Sequence, residues 1–179
     1  MGRDAASGTG PGMIMPAYVR KLAGYNRWMN VNIYAACAGL DDSERKRDRG
    51  AFFGSIHATL NHILWADQIW MHRLAGMEKP LAPDIAGSVA QHDGFGELRQ
   101  AREAMDERIV EWAEGLEPPA LEGDLVWSSG ATGRLMTRPR ALLVTHMFNH
   151  QTHHRGQVHC LLTQCGVRPA GTDIAFMPE

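Results

Sequence analysis

Residues 139–166 read PRALLVTHMFNHQTHHRGQVHCLLTQCG, and the fold class turns on how this stretch is read. Leu143, Met147, Val158, Leu161 and Leu162 recur at helical spacing. Pro139 suits a helix start, Gly166 suits a stop, and Pro169 bars continuation. His150 and His154 fall on the same stripe, where the period asks for Leu or Ile. Residues i and i+4 share one face of a helix, so these two imidazoles converge. Burying such polar rings without partners costs free energy, and a metal ion between them removes that cost. The same spacing relates His146 to His150, so the pattern by itself leaves the pair open.

Working outward, the segment before this helix changes character. Residues 125–127 (LVW) and 134–136 (RLM) flank SSGATG at 128–133, which predicts a small β-hairpin. Three further helices are expected. The first runs over 16–38 with Val19, Leu22, Tyr25, Met29, Ile33 and Ala36 as its stripe, and Asp41 to Glu44 resembles a capping box beyond it. The second runs over 50–75 with Phe53, Ile56, Leu60, Leu64, Met71 and Leu74, and is apolar over much of its circumference, as a buried helix is. The third runs over 93–115 with Leu98, Ala101, Met105, Ile109 and Trp112, leaving Arg99, Arg102, Glu103, Glu107 and Glu111 as an exposed face. Antiparallel neighbours need only short connections, but 77–92 is long and broken by Pro80, Pro83 and Gly87. It can cross the end of a bundle and leave helices two and three parallel. The expectation is an all-α four-helix bundle forming one domain over 15–179, after a disordered Gly/Ala/Ser-rich tail over 1–14.

The composition narrows the function. A net charge of -2 and a pI of about 6.5 leave no basic footprint for nucleic acid. Nothing resembles a membrane span or the apolar core of a signal peptide. Cys37, Cys160 and Cys165 are odd in number and form no CxxC pair, which argues for free, packing thiols in a reducing cytoplasm.

Three imidazoles suffice to hold zinc while leaving a position open. The third must come from another helix, and His62 stands mid-helix beside the apolar stripe of the second. His57 lies nearer that helix's start, while His72 and His92 read as surface or loop residues. Asn149 and Gln157 could hold the outer nitrogens of ligand imidazoles, which fixes the tautomer. Asp67, on an apolar face, could do the same, act as a base beside the metal, or form a structural salt bridge. His153 and Arg155 fall off the stripe, onto a solvated or interface face. Gly156 costs a helix interior about 1 kcal/mol relative to Ala, which suggests close approach of another helix or of the site.

These residues resemble a known family. FFGSIHATLNHILWADQIWMHRLAG at 52–76 and HMFNHQTHHRGQVHCLLTQCG at 146–166, with LAGYNRWMNVNIYAAC at 22–37, are similar to the DinB family of metalloenzymes, over roughly 19–176 of the chain. The resemblance implies an up-down-down-up four-helix bundle and a divalent metal held by His62, His150 and His154, which breaks the tie that spacing leaves. It also implies a homodimer. Related bundle proteins include transferases and isomerases that use mycothiol, bacillithiol or similar thiols. The expected function is a thiol-dependent S-transferase acting on a small molecule, with zinc favoured, nickel next, then iron or manganese. A metal-dependent hydrolase and a non-catalytic, DNA-damage-inducible metal-binding protein are the alternatives.

Overall fold

The computed structural model describes residues 12–130 and 132–179, so most of the expected tail lies outside it. The chain is mostly helical. Helix α1 spans Pro16–Ala38, the short α2 Asp42–Lys46, α3 Ile56–Ala75 and α4 Phe95–Glu114. Strands β1 (Asp124–Ser129) and β2 (Arg134–Pro139) pair antiparallel, with Trp127 opposite Met136, and lead into α5, Arg140–Gln164. The hairpin therefore stands where the sequence predicts it.

Four long helices close on one another: α1 packs on α4 and α5, and so does α3. Their apolar stripes meet in one core, which includes Val19, Ile33, Leu60, Leu64, Leu98, Ile109, Met147 and Leu162. No described helix is long and apolar enough to cross a membrane. The connection after α3 folds back on it through a tight turn at Gly87–Ala90, which sets Ser88 against the middle of that helix.

Helix boundaries follow local chemistry. Asp41 caps α2 by accepting from the Glu44 N–H at 2.8 Å. The second long helix begins at Ile56 rather than 50, because Ser55 caps it and accepts from the Ala58 N–H at 3.1 Å. Gly50 and Gly54 both adopt positive φ, 72° and 75°, which bends residues 50–54 into a turn instead. Phe53 thus leaves the helix stripe and sits in that turn.

Four sequence expectations give way. Arg102 is 1% exposed, not part of a solvated face. Arg155 is likewise buried, at 5%. Both find acceptors inside the molecule, which sequence periodicity cannot see. Gly156 is exposed, and a Cβ built there meets nothing within 4 Å, so no neighbour requires glycine. Cys160 is also exposed; Cys37 is buried and Cys165 half-buried, and all three are free.

Candidate metal centre

His62 projects from α3, and His150 and His154 from successive turns of α5. The packing of α3 on α5 brings one nitrogen from each ring within 4.8 Å of the others. Among the described residues no further His, Cys, Asp or Glu joins the three. His62 and His154 are buried and His150 is half-buried.

The surrounding hydrogen bonds fix the tautomers of two of the three rings, His62 and His154. Ser88 donates its hydroxyl proton to the Ile85 carbonyl oxygen at 2.6 Å. Its oxygen is then the acceptor for Nδ1–H of His62, at 2.8 Å. That leaves a lone pair on Nε2 of His62, which faces Nε2 of His150 at 3.3 Å. His154 donates from Nδ1 to the carboxamide oxygen of Gln157 at 2.7 Å, freeing its own Nε2. Nε2 of His153 lies 3.4 Å from the Gln157 amide nitrogen, which orients that amide. No other described side-chain hydrogen bond involves His150, so this contact holds either the Nε2–H of a neutral His150 donating to His62 or, with the proton on the other nitrogen, a cation between the two rings.

The charged imidazolium form is disfavoured there. Burial, then the neighbouring His154, pushes His62 down to about 4. Burial and the surrounding imidazoles push His150 down to about 3. Burial also lowers His154. Neutral imidazole is the metal-binding form. The donor set therefore fits a divalent cation with borderline-soft character, and three protein donors leave coordination positions free.

Phe53 covers the cluster, its ring centroid 4.0 Å from that of His62 and 5.3 Å from that of His154. Trp65 also stacks on His62, its centroid 5.9 Å away. Neither Phe53 as a cover nor Ser88 as a tautomer lock is legible from spacing, since both stand in connections.

The other expected residues lie as follows. Gln157 reaches a ligand ring, as above. Asn149 does not: it is exposed and lines a small hollow with Tyr25, Asn26 and Arg155 on the α1 side. His57 is buried and bonds the His92 carbonyl oxygen at 2.9 Å, away from the three. His72 bonds the Met77 carbonyl oxygen at 2.6 Å. His146 is exposed, with its ring 5.8 Å from that of His150.

Asp67 belongs to a different structure. Its carboxylate is 1% exposed, lies 2.7 Å from Arg102, and accepts from Gln151. Of the roles open to it in sequence, the salt bridge is what the fold contains. Arg102 also meets Asp106 at 2.9 Å, and Asp106 accepts from Asn30 at 2.9 Å. Arg155 donates to Gln151 at 2.8 Å and to Asn26. All four long helices contribute to this buried, charge-balanced network. Burial pushes Asp67 up to about 6 against the pull of Arg102. Burial opposes the charge on Arg102, but Asp106 and Asp67 on either side hold it above the ordinary arginine value. The sequence offered two signals: an acid on an apolar stripe, which needs a cation, and Arg102 one turn before Asp106. A cleft of 460 Å³ between α1 and α4 opens over Asn30, Tyr34, Arg102 and Asp106, and none of the three clustered histidines lines it.

The chain is similar to known proteins. The family model described as "DinB family" matches residues 13–179. The chain is 26% identical over 162 residues to "Protein DinB" of Bacillus subtilis (strain 168), covering 89% of this chain and 92% of that protein.

Proposed function

The chain belongs to the DinB family, and on that footing we propose that it is a metal-dependent enzyme whose divalent ion is held by His62, His150 and His154. The observation that carries this reading is the inward convergence of three neutral imidazole nitrogens with no fourth protein donor among the described residues. A closed structural site uses four protein donors; an open one keeps room for a reactant. A bound divalent ion would supply Lewis acidity, holding a small thiol as thiolate at neutral pH or lowering the pKa of water.

The chain's own groups set the terms of that chemistry. Ser88 and Gln157 hold two rings in the tautomer that points Nε2 inward. Phe53 excludes water from one side and narrows the approach. We favour a thiol-dependent transferase over a hydrolase because the ring of Phe53 lies against both His62 and His154, and an aromatic cover suits a soft, poorly hydrated nucleophile. Zinc is the first choice, then nickel, then iron or manganese. We read the connection between α3 and α4 as the crossover of an up-down-down-up bundle, a single domain over 15–179. Three free cysteines suit a reducing cytoplasm, and family resemblance supports a homodimer.

Elemental analysis of protein purified without an immobilised-metal column tests the ligand set. About one equivalent of metal per chain is expected. His150→Ala and His154→Ala are expected to abolish it, and His72→Ala to leave it intact. Full metal content in both of the first two variants would overturn the assignment.

A further inference from the structure

A cation without a counter-charge lies along the wall that leads away from the three histidines. Arg73, in the last turn of α3, is half-buried with its guanidinium 4.7 Å from the ring centroid of Trp70 and 5.9 Å from that of Trp127. Among the described residues no carboxylate comes within ion-pair distance of it and no acceptor takes its N–H groups; its neighbours' π faces are its only described partners. Burial lowers its pKa. A half-exposed guanidinium whose donors are not taken up within the chain is open to an anion from solvent.

The surroundings connect this cation to the metal centre. Trp127 from β1 packs edge-on against Trp70 at 5.6 Å. Trp70 packs against His146 at 5.2 Å, and His146 lies 5.8 Å from His150. His146 is exposed and Trp127 is half-exposed, while Trp70 between them is buried, so the track is open to solvent at its two ends. It is built from three separate elements, α3, β1 and α5. At 1.5 Å per residue, the helix between residues 62 and 73 spans roughly 16 Å, the length of an extended small molecule.

We propose that Arg73, framed by Trp70 and Trp127, is an anion-holding subsite for the small molecule that reacts at the three-histidine centre. That molecule carries a metal-seeking donor at one end and a carboxylate at the other, and its body passes over His146 toward Trp127. Guanidinium offers a carboxylate two parallel N–H donors, and the indoles keep the fork in one orientation. The proposal rests on the reading of the histidine cluster as a thiol-binding metal site.

The test compares two thiols of equal length on the cobalt(II)-loaded protein. Mercaptoundecanoate and mercaptoundecanol differ only in their far end. Each is titrated while following the near-ultraviolet absorption that a thiolate ligand adds to cobalt. The carboxylate is expected to bind about tenfold more tightly than the alcohol. Arg73→Gln is expected to bring the two affinities together while leaving cobalt content and mercaptoundecanol binding unchanged. Equal affinities in the unmodified protein, or a preference that survives Arg73→Gln, would overturn the subsite. If neither thiol changes the absorption, the thiol reading of the metal site fails. The subsite is then judged from the indole N–H signals of Trp70 and Trp127, titrated with undecanoate and undecanol. Shifts caused by undecanoate alone and lost in Arg73→Gln support it; their absence overturns it.

Discussion

A single proton decides what an imidazole can do, and here that proton is placed by residues outside the histidine cluster. Because its hydroxyl proton is committed to Ile85, Ser88 can only accept from His62. Asp67 shows the opposite case, an ionisable residue whose role is consumed by structure. It is buried against Arg102, with Gln151 as a further donor. Removing one member of a buried ion pair leaves an uncompensated charge, which typically costs 3–5 kcal/mol. Asp67→Asn is therefore expected to lower the urea-unfolding free energy by roughly 3 kcal/mol and to leave the equivalents of bound metal unchanged. A loss below about 1 kcal/mol would mean that the pair behaves like an exposed salt bridge; lost metal would return Asp67 to the reactive centre.

Helix α5 carries both polar systems on neighbouring faces. His150 and His154 turn to α3, while Gln151 and Arg155 turn into the interior beside Asn26 of α1. This explains why its apolar stripe is narrow and why Arg155 was placed on the wrong side by periodicity: a buried arginine and an exposed one look alike until their acceptors are known. Gly156, next in the chain, faces solvent with free space around it. Its φ is not positive, so alanine fits the backbone. Gly156→Ala is expected to stabilise the protein by about 1 kcal/mol, through helix propensity alone. Thermal unfolding reads this directly, and a lowered midpoint would show that some contact needs the glycine. Helix α3 gives a second lesson in boundaries. Its apolar pattern continues back through Phe53, but Ser55 and the positive φ of Gly54 stop the helix at Ile56. The residue cut off by this stop is the one that covers the imidazoles.

Across the whole molecule, protonation sets the balance of stability. Burial lowers the pKa of His57, His62, His146, His150 and His154, with His62 near about 4. In the unfolded chain each returns to the ordinary value of 6.5. As pH falls through 6.5 toward 4, the unfolded chain binds protons that the folded one refuses, so folding weakens. Asp67 and Asp106 act in the other direction, since burial raises both and the folded state takes up their protons first. The histidines outnumber them. Metal-free protein is expected to lose unfolding free energy between about pH 6.5 and pH 4, whereas a flat or rising profile would contradict the buried, neutral state of the cluster. Much of this molecule is legible in its sequence. Periodicity marked four long helices and a hairpin, because burial of one face imposes a 3.6-residue repeat on α-helices and turn chemistry punctuates it. The i+4 spacing and core position of His150 and His154, with His62 in a second buried helix, marked the cluster. Only the tertiary structure decided what came from connections and from across helices: Ser88 locking a tautomer, Phe53 as a cover, and Asp67, Arg102, Asp106, Gln151 and Arg155 joined in one buried network. Local sequence records which face a residue takes on its own helix. Partners brought together by the packing of distant elements leave no period to read.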